Sequence, residues 1–159
     1  MSFGIQLDDL MKHVIRPTLQ HIDCWSEAAE ELVLGTAITE NYLHGPVSLD
    51  QDGGGPAMGL WQMEPATLKD IFDNYLRYRA NLKNRVDMLM TVWPIPEAQL
   101  SGNLFFGAAM CRIHYRRVKE ALPPVGDFEA QGAYYKKYYN TELGAGTAER
   151  YVEAWQEAA

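Results

Sequence analysis

The chain has 159 residues, 47% of them apolar and 22% charged, with a formal net charge of −7. That length suits a single domain that buries about 70% of the surface its unfolded form exposes, without disulfide or metal staples. The composition excludes a disordered chain. The acidic balance argues against recognition of a nucleic-acid backbone, and more weakly against a free enzyme steered to anionic cell walls by its own charge.

The longest apolar runs, such as Leu104–Cys111, fall far short of the ~20 residues needed to cross a bilayer, so no membrane span is expected. Met1–Leu10 has no basic or apolar leader pattern and carries Asp8 and Asp9, so no secretory signal is expected either. The two cysteines, Cys24 and Cys111, form no CxxC pair and read as small core residues in a reducing compartment.

Taken in chain order, the signals are helical. Ile5–Ile22 carries apolar residues at mixed spacings of three and four, with Pro17 expected to kink or split it. This stretch, within residues 1–25, is expected to pack as a helical extension on a single domain spanning 1–159. Ser26 is a fitting N-cap for a helix that ends near Glu40 to Tyr42, before Gly45-Pro46.

Residues 45–58 form the long non-helical stretch, glycine-rich at 53–55, where a brief hairpin is the one β element the sequence allows. Pro65 suits the first turn of the next helix, through Leu68, Ile71, Phe72 and Tyr75. A basic, polar region (Arg77–Arg85) and a short segment ending at Trp93-Pro94 follow. Leu100–Leu122 reads as one long buried helix stopped by Pro123-Pro124. Asp127 caps a tyrosine-rich helix, and Thr147 caps the last one after the turn Gly144-Ala145-Gly146. The expected class is all-α, or α+β with a minimal hairpin.

Glu40 closes the second of these helices. Its neighbours one and two turns back are Ala37, Thr36 and Val33, so its own face is largely apolar. Partial desolvation and the negative end of the helix dipole both favour the protonated carboxyl. A protonated acid near neutral pH is what cleavage of a glycosidic bond needs, because the leaving oxygen must receive a proton. A solvated glutamate at a helix end would share the same position.

The segment Gly59-Leu60-Trp61-Gln62-Met63-Glu64-Pro65-Ala66-Thr67 adds a second feature. With Glu40, it resembles the soluble lytic transglycosylases and their lysozyme-like relatives. In that family a helix ends in the catalytic Glu, and a Gly-Leu-Met-Gln-x-Met-Pro-x-Thr run opens the next helix. Gly59, Leu60, Gln62, Pro65 and Thr67 match. The resemblance spans about Ala28 to Trp155 and implies a lysozyme-like helical domain that cleaves peptidoglycan at the MurNAc-GlcNAc β-1,4 bond.

It implies Glu40 as general acid/base and Gln62 in the saccharide groove, with Asn41, Gly59, Trp61, Asn103 and Asn140 as further substrate-binding positions. It also implies a tyrosine that reaches the catalytic Glu; Tyr139 is the first choice, with Tyr134, Tyr135 and Tyr138 as competitors. The chain departs from the family in places: Asn41 stands where Ser is usual, Trp61 where Met is usual, and Tyr139-Asn140-Thr141-Glu142 where the family has Tyr-Asn-Ala-Gly.

Asp50 and Asp52, 10 and 12 residues after Glu40, are possible second carboxylates, as in goose-type and phage-type lysozymes. Turn-favouring aspartates beside glycines give the same pattern. A calcium loop begins like Asp50-Gln51-Asp52-Gly53, but Trp61 stands where the distal Glu belongs. His13, His21, His44 and His114 lack zinc-site spacing, though His44 lies near the presumed groove. No metal or other cofactor is expected.

The expected partners are glycan strands of peptidoglycan and, in one setting, other proteins of a phage virion or tail. The expected location is a phage virion, or host cytoplasm before release, with action on the bacterial cell wall. A catalytically weak lysozyme-like component of a phage particle is the alternative function.

Overall fold

Leu7–Leu10 (α1) opens the fold and runs through a π-helical turn, Met11–Ile15, into α2 (Arg16–His21). The stretch expected as one helix is thus divided by the π turn just before Pro17, which sits in the first turn of α2. A proline has no N–H and crowds the carbonyl four residues back, and a wider turn there relieves both. The structure, a computed structural model, describes residues 4–41, 47–91, 95–140, 144 and 146–158. Tyr42, His44, Gly45, Pro46, Trp93, Pro94, Thr141, Glu142 and Ala145, which enter the sequence reading, lie outside the described residues.

Helix α3 (Glu27–Asn41) begins where Ser26 Oγ accepts from the Ala29 N–H at 3.0 Å. Pro65 opens α4 (Pro65–Asn74) at its first position. The basic region holds more order than its polarity suggests: a 3₁₀ turn (Leu76–Tyr78) leads into α5 (Ala80–Asp87), anchored by the buried Val86.

The apolar stretch read as one helix over Leu100–Leu122 is two. α6 (Pro96–Gly102) ends at Asn103, and α7 runs only over Leu104–Arg116. Asn103 Oδ1 accepts from the Phe106 N–H at 3.1 Å, so its side chain starts a new helix where hydrophobicity alone continues the old one. α8 (Phe128–Tyr135) starts at the Asp127 cap and passes into a π-helical stretch, Lys136–Asn140. Thr147 Oγ1 accepts from the Arg150 N–H at 3.0 Å and starts α9 (Ala148–Ala158).

The described residues contain no strand. Asp50 with Met58 and Met58 with Met63 form isolated bridges, and the left-handed Gly53 and Gly54 turn the chain between them. Over the described residues the fold is all-α, and the expected hairpin is reduced to these isolated bridges. No helix among the described residues is long and apolar enough to cross a membrane.

Helix α7 is the spine. Ala108, Cys111 and Tyr115 join a core built on Leu32, Val33, Tyr135 and Tyr151. Phe106, Ala109, Met110 and Ile113 join a second core with Ile71, Leu76 and Val86. The helix divides its apolar residues between two cores, while Phe105 and Arg116 stay exposed. The N-terminal segment belongs to both: Leu10, Ile15 and Leu19 enter the first, and Ile22 and Cys24 the second. Both cysteines are buried and free.

Candidate functional site

The C-terminal end of α3 brings Glu40 to the wall of a cleft of about 680 Å³. Asp50, Asp52, Gln62, Tyr139 and Asn140 share this cleft, together with His114, Tyr135 and Arg150. The sequence therefore converges there from α3, from the glycine-rich loop, from the turn before α4, from α7, from the end of α8 with its π-helical stretch, and from the start of α9.

Glu40 Oε1 accepts a hydrogen bond from the Tyr135 hydroxyl at 2.6 Å. Burial pushes the Glu40 carboxyl up from its ordinary value. The Tyr135 bond, the positive charge of Arg150 and a hydrogen bond from the Asn140 side chain pull the other way without cancelling that effect. Burial also raises the Tyr135 hydroxyl, so it remains a neutral donor. The result is a carboxyl held toward its protonated form, with neutral hydrogen-bond partners and an open cleft beside it. Such a group can act as a general acid.

The tyrosine that meets Glu40 is Tyr135, in place of Tyr139. The Tyr139 hydroxyl donates to the Trp61 carbonyl at 2.6 Å, which ties the π-helical stretch to the turn before α4. Tyr134 and Tyr138 turn away, donating to the Glu120 carbonyl and carboxylate respectively.

Gln62 lines the cleft with positive φ, 47°, and one amide N–H donates to the Gly59 carbonyl at 2.9 Å. Its Oε1 pairs with nothing among the described residues. Asn41 also borders the cleft, but its amide is used inside the fold, donating to the Ala37 and Leu60 carbonyls. That clamps the end of α3 to the turn, a positional role where substrate contact was expected. Asn140 Oδ1 accepts from Lys136 Nζ at 3.1 Å while the side chain remains in the cleft.

Three other expected substrate contacts prove to be parts of the scaffold. Trp61 is only 2% exposed, donates through its indole N–H to the Val33 carbonyl at 2.9 Å, and packs on Gly107, where a Cβ would lie 2.9 Å from the ring. Gly59 is buried at φ 79°, and a Cβ there would lie 1.9 Å from the Leu100 carbonyl oxygen, so the position needs glycine for backbone packing. Asn103 is the buried cap of α7, and its amide donates to the Leu89 carbonyl and Gln99 Oε1.

Asp50 and Asp52 are exposed on the cleft, and neither forms an ion pair among the described residues. The described residues hold no group of three or more His, Cys, Asp or Glu side chains arranged for a metal ion.

The sequence ranks Tyr135 behind Tyr139, brings up His114 only for its lack of zinc-site spacing, and does not single out Arg150. His114 packs against Tyr139 with ring centroids 5.0 Å apart, and its Nδ1 accepts from Arg117 at 2.7 Å. Burial and the Arg117 charge push it down to about 4, so it is neutral at pH 7 with its proton on Nε2. Arg150 follows the Thr147 cap by one turn, and that spacing was the available signal. No family model, curated protein or solved structure matches this chain.

Proposed function

We propose that this chain is a lysozyme-like enzyme that cleaves the MurNAc-GlcNAc β-1,4 bond of peptidoglycan as a lytic transglycosylase, with Glu40 as general acid and then base. Support comes from the Glu40 carboxyl, raised by burial and held by Tyr135, in a cleft shared with Gln62. Glu40 gives its proton to the glycosidic oxygen as the bond to the anomeric carbon breaks. As the carboxylate, it then takes the proton of the muramyl 6-hydroxyl, which closes onto that carbon and forms the 1,6-anhydro ring. The route needs no second carboxylate and no cofactor. Gln62 and Asn140 supply amides for hydroxyl and N-acetyl groups, and neutral His114 adds a donor at the cleft wall.

Two departures from the family pattern, Asn41 and Trp61, are explained by packing: each uses its polar atom on a main-chain carbonyl. The test is product analysis after incubation with purified peptidoglycan. Anhydro-muramic ends are expected. Reducing ends would overturn the transglycosylase route in favour of a water positioned by Asp50 or Asp52. No products at any pH would overturn catalysis and favour a lysozyme-like structural component of a phage particle.

A further inference from the structure

A second open cleft, of about 520 Å³, lies between the end of α2 and the start of α5, away from Glu40. Its lining includes Arg79, Arg85 and Arg116, a concentration of positive charge in a protein whose formal net charge is −7. None of the three forms an ion pair among the described residues. Each of the three is instead held by neutral acceptors. Arg79 stacks on the Tyr75 ring at 3.7 Å and donates through Nη1 to the Tyr75 carbonyl at 3.1 Å. Arg85 Nη1 donates to the His21 carbonyl at 2.8 Å. Arg116 donates through Nε to Cys24 Sγ at 3.1 Å and through Nη1 to the Tyr75 hydroxyl at 3.4 Å. Neutral anchors fix a guanidinium without cancelling its charge, and they leave further N–H groups of each fork unused.

The same cleft receives the N-terminus of α5. Ala80, Asn81 and Leu82 line it, and no side chain caps this eight-residue helix. The first N–H groups of a helix have no partner within it and carry the positive end of its dipole. We propose that this cleft binds a terminal phosphoryl group, with Arg79, Arg85 and Arg116 around it and the uncapped start of α5 beneath it. A carboxylate offers two oxygens and one charge. A terminal phosphoryl offers three oxygens and close to two charges, which better matches three guanidinium forks and a helix end. Asp23 is the carboxylate that lines the cleft, held at φ 57° and exposed, with no ion pair to the arginines. Its charge opposes the ligand.

The test is a titration of the full chain with inorganic phosphate at constant ionic strength, followed by backbone amide and arginine Nε NMR signals, with dimethyl phosphate and acetate as parallel arms. Saturable shifts are expected at Ala80, Asn81, Leu82 and the three arginines. Binding should weaken roughly tenfold in Arg85→Gln and again in Arg79→Gln, both exposed side chains. Asp23→Asn should tighten it. Thermal melts of each variant separate lost binding from lost fold. Shifts that fail to saturate, or that spread over other basic surfaces, overturn the site. Acetate or dimethyl phosphate binding as tightly as inorganic phosphate overturns the terminal-phosphoryl assignment.

Discussion

Glu30 and Glu40 lie ten residues apart on the same helix, α3, and their carboxyls are driven in opposite directions. Burial pushes both up. At Glu30 that effect is outweighed: Arg16 grips the carboxylate with two bonds of 2.7 and 2.8 Å, the Trp25 indole adds a third at 2.7 Å, and the Arg16 charge completes the reversal. Glu30 also sits near the positive end of the helix dipole, and Glu40 at the negative end. At Glu40 the closest donor is a neutral phenol, and the charge of Arg150 does not restore the anion. A buried carboxylate with a bidentate arginine is a structural tie. A half-buried carboxyl with a neutral donor in an open cleft is a reservoir for a proton. At Glu30 the charged partner outweighs burial; at Glu40 burial outweighs the partners.

The largest expected effect separates the two residues by function. Glu40→Gln should reduce glycan cleavage by about 10²–10⁴-fold, because the amide keeps the shape and cannot deliver a proton. Its melting temperature near neutral pH should be unchanged or higher. Turbidity and melting curves on the same preparation check both parts. A variant as active as wild type would remove Glu40 from the chemistry.

Next in size is the phenol. Tyr135→Phe should cost about tenfold in turnover. It should also move the alkaline limb of the pH–rate profile upward, since the lost bond favoured the Glu40 anion. Tyr139→Phe should leave that limb in place and cost about 0.5–1.5 kcal/mol of stability, the bond to the Trp61 carbonyl. If the two profiles shift alike, Tyr135 has no special relation to Glu40.

The sequence made the helix ends legible where a cap is local: Ser26, Asp127 and Thr147 act within one turn of their own positions, and Pro65 needs only its ring. It did not reveal the break at Asn103, because the apolar run from Leu100 onward crosses two helices and only the capping geometry divides them. Glu40 and Gln62 in one cleft were legible from the motif and its spacing. The choice among Tyr134, Tyr135, Tyr138 and Tyr139 was not. These four come in adjacent pairs, and the π-helical stretch Lys136–Asn140 alters the register that a regular helix would give them. Trp61 looked like a groove residue because its partners, the Val33 carbonyl and the space over Gly107, are set by tertiary packing.

A smaller effect sharpens the same contrast through stability. Glu30→Gln should cost about 1–2 kcal/mol, less than a fully buried pair because Arg16 is half exposed and can return to water. Glu30, with its folded value lowered, adds stability above the ordinary 4.5 that is lost as pH falls through the lowered value. Glu40, with its folded value raised, adds stability below 4.5 that is lost as pH rises through the raised value. Melting temperature against pH should therefore lose part of its acid-side decline in Glu30→Gln. In Glu40→Gln it should lose part of a decline on the other side of 4.5.

The opposite displacement of the two carboxyls is measured by following the side-chain carboxyl carbons of Glu30 and Glu40 by NMR as a function of pH, assigned by Glu30→Gln and Glu40→Gln. Glu40 should titrate above 4.5 and Glu30 below it, on one helix in one sample. Glu40 titrating at or below 4.5 would contradict it, because burial would then not hold this carboxyl toward its protonated form.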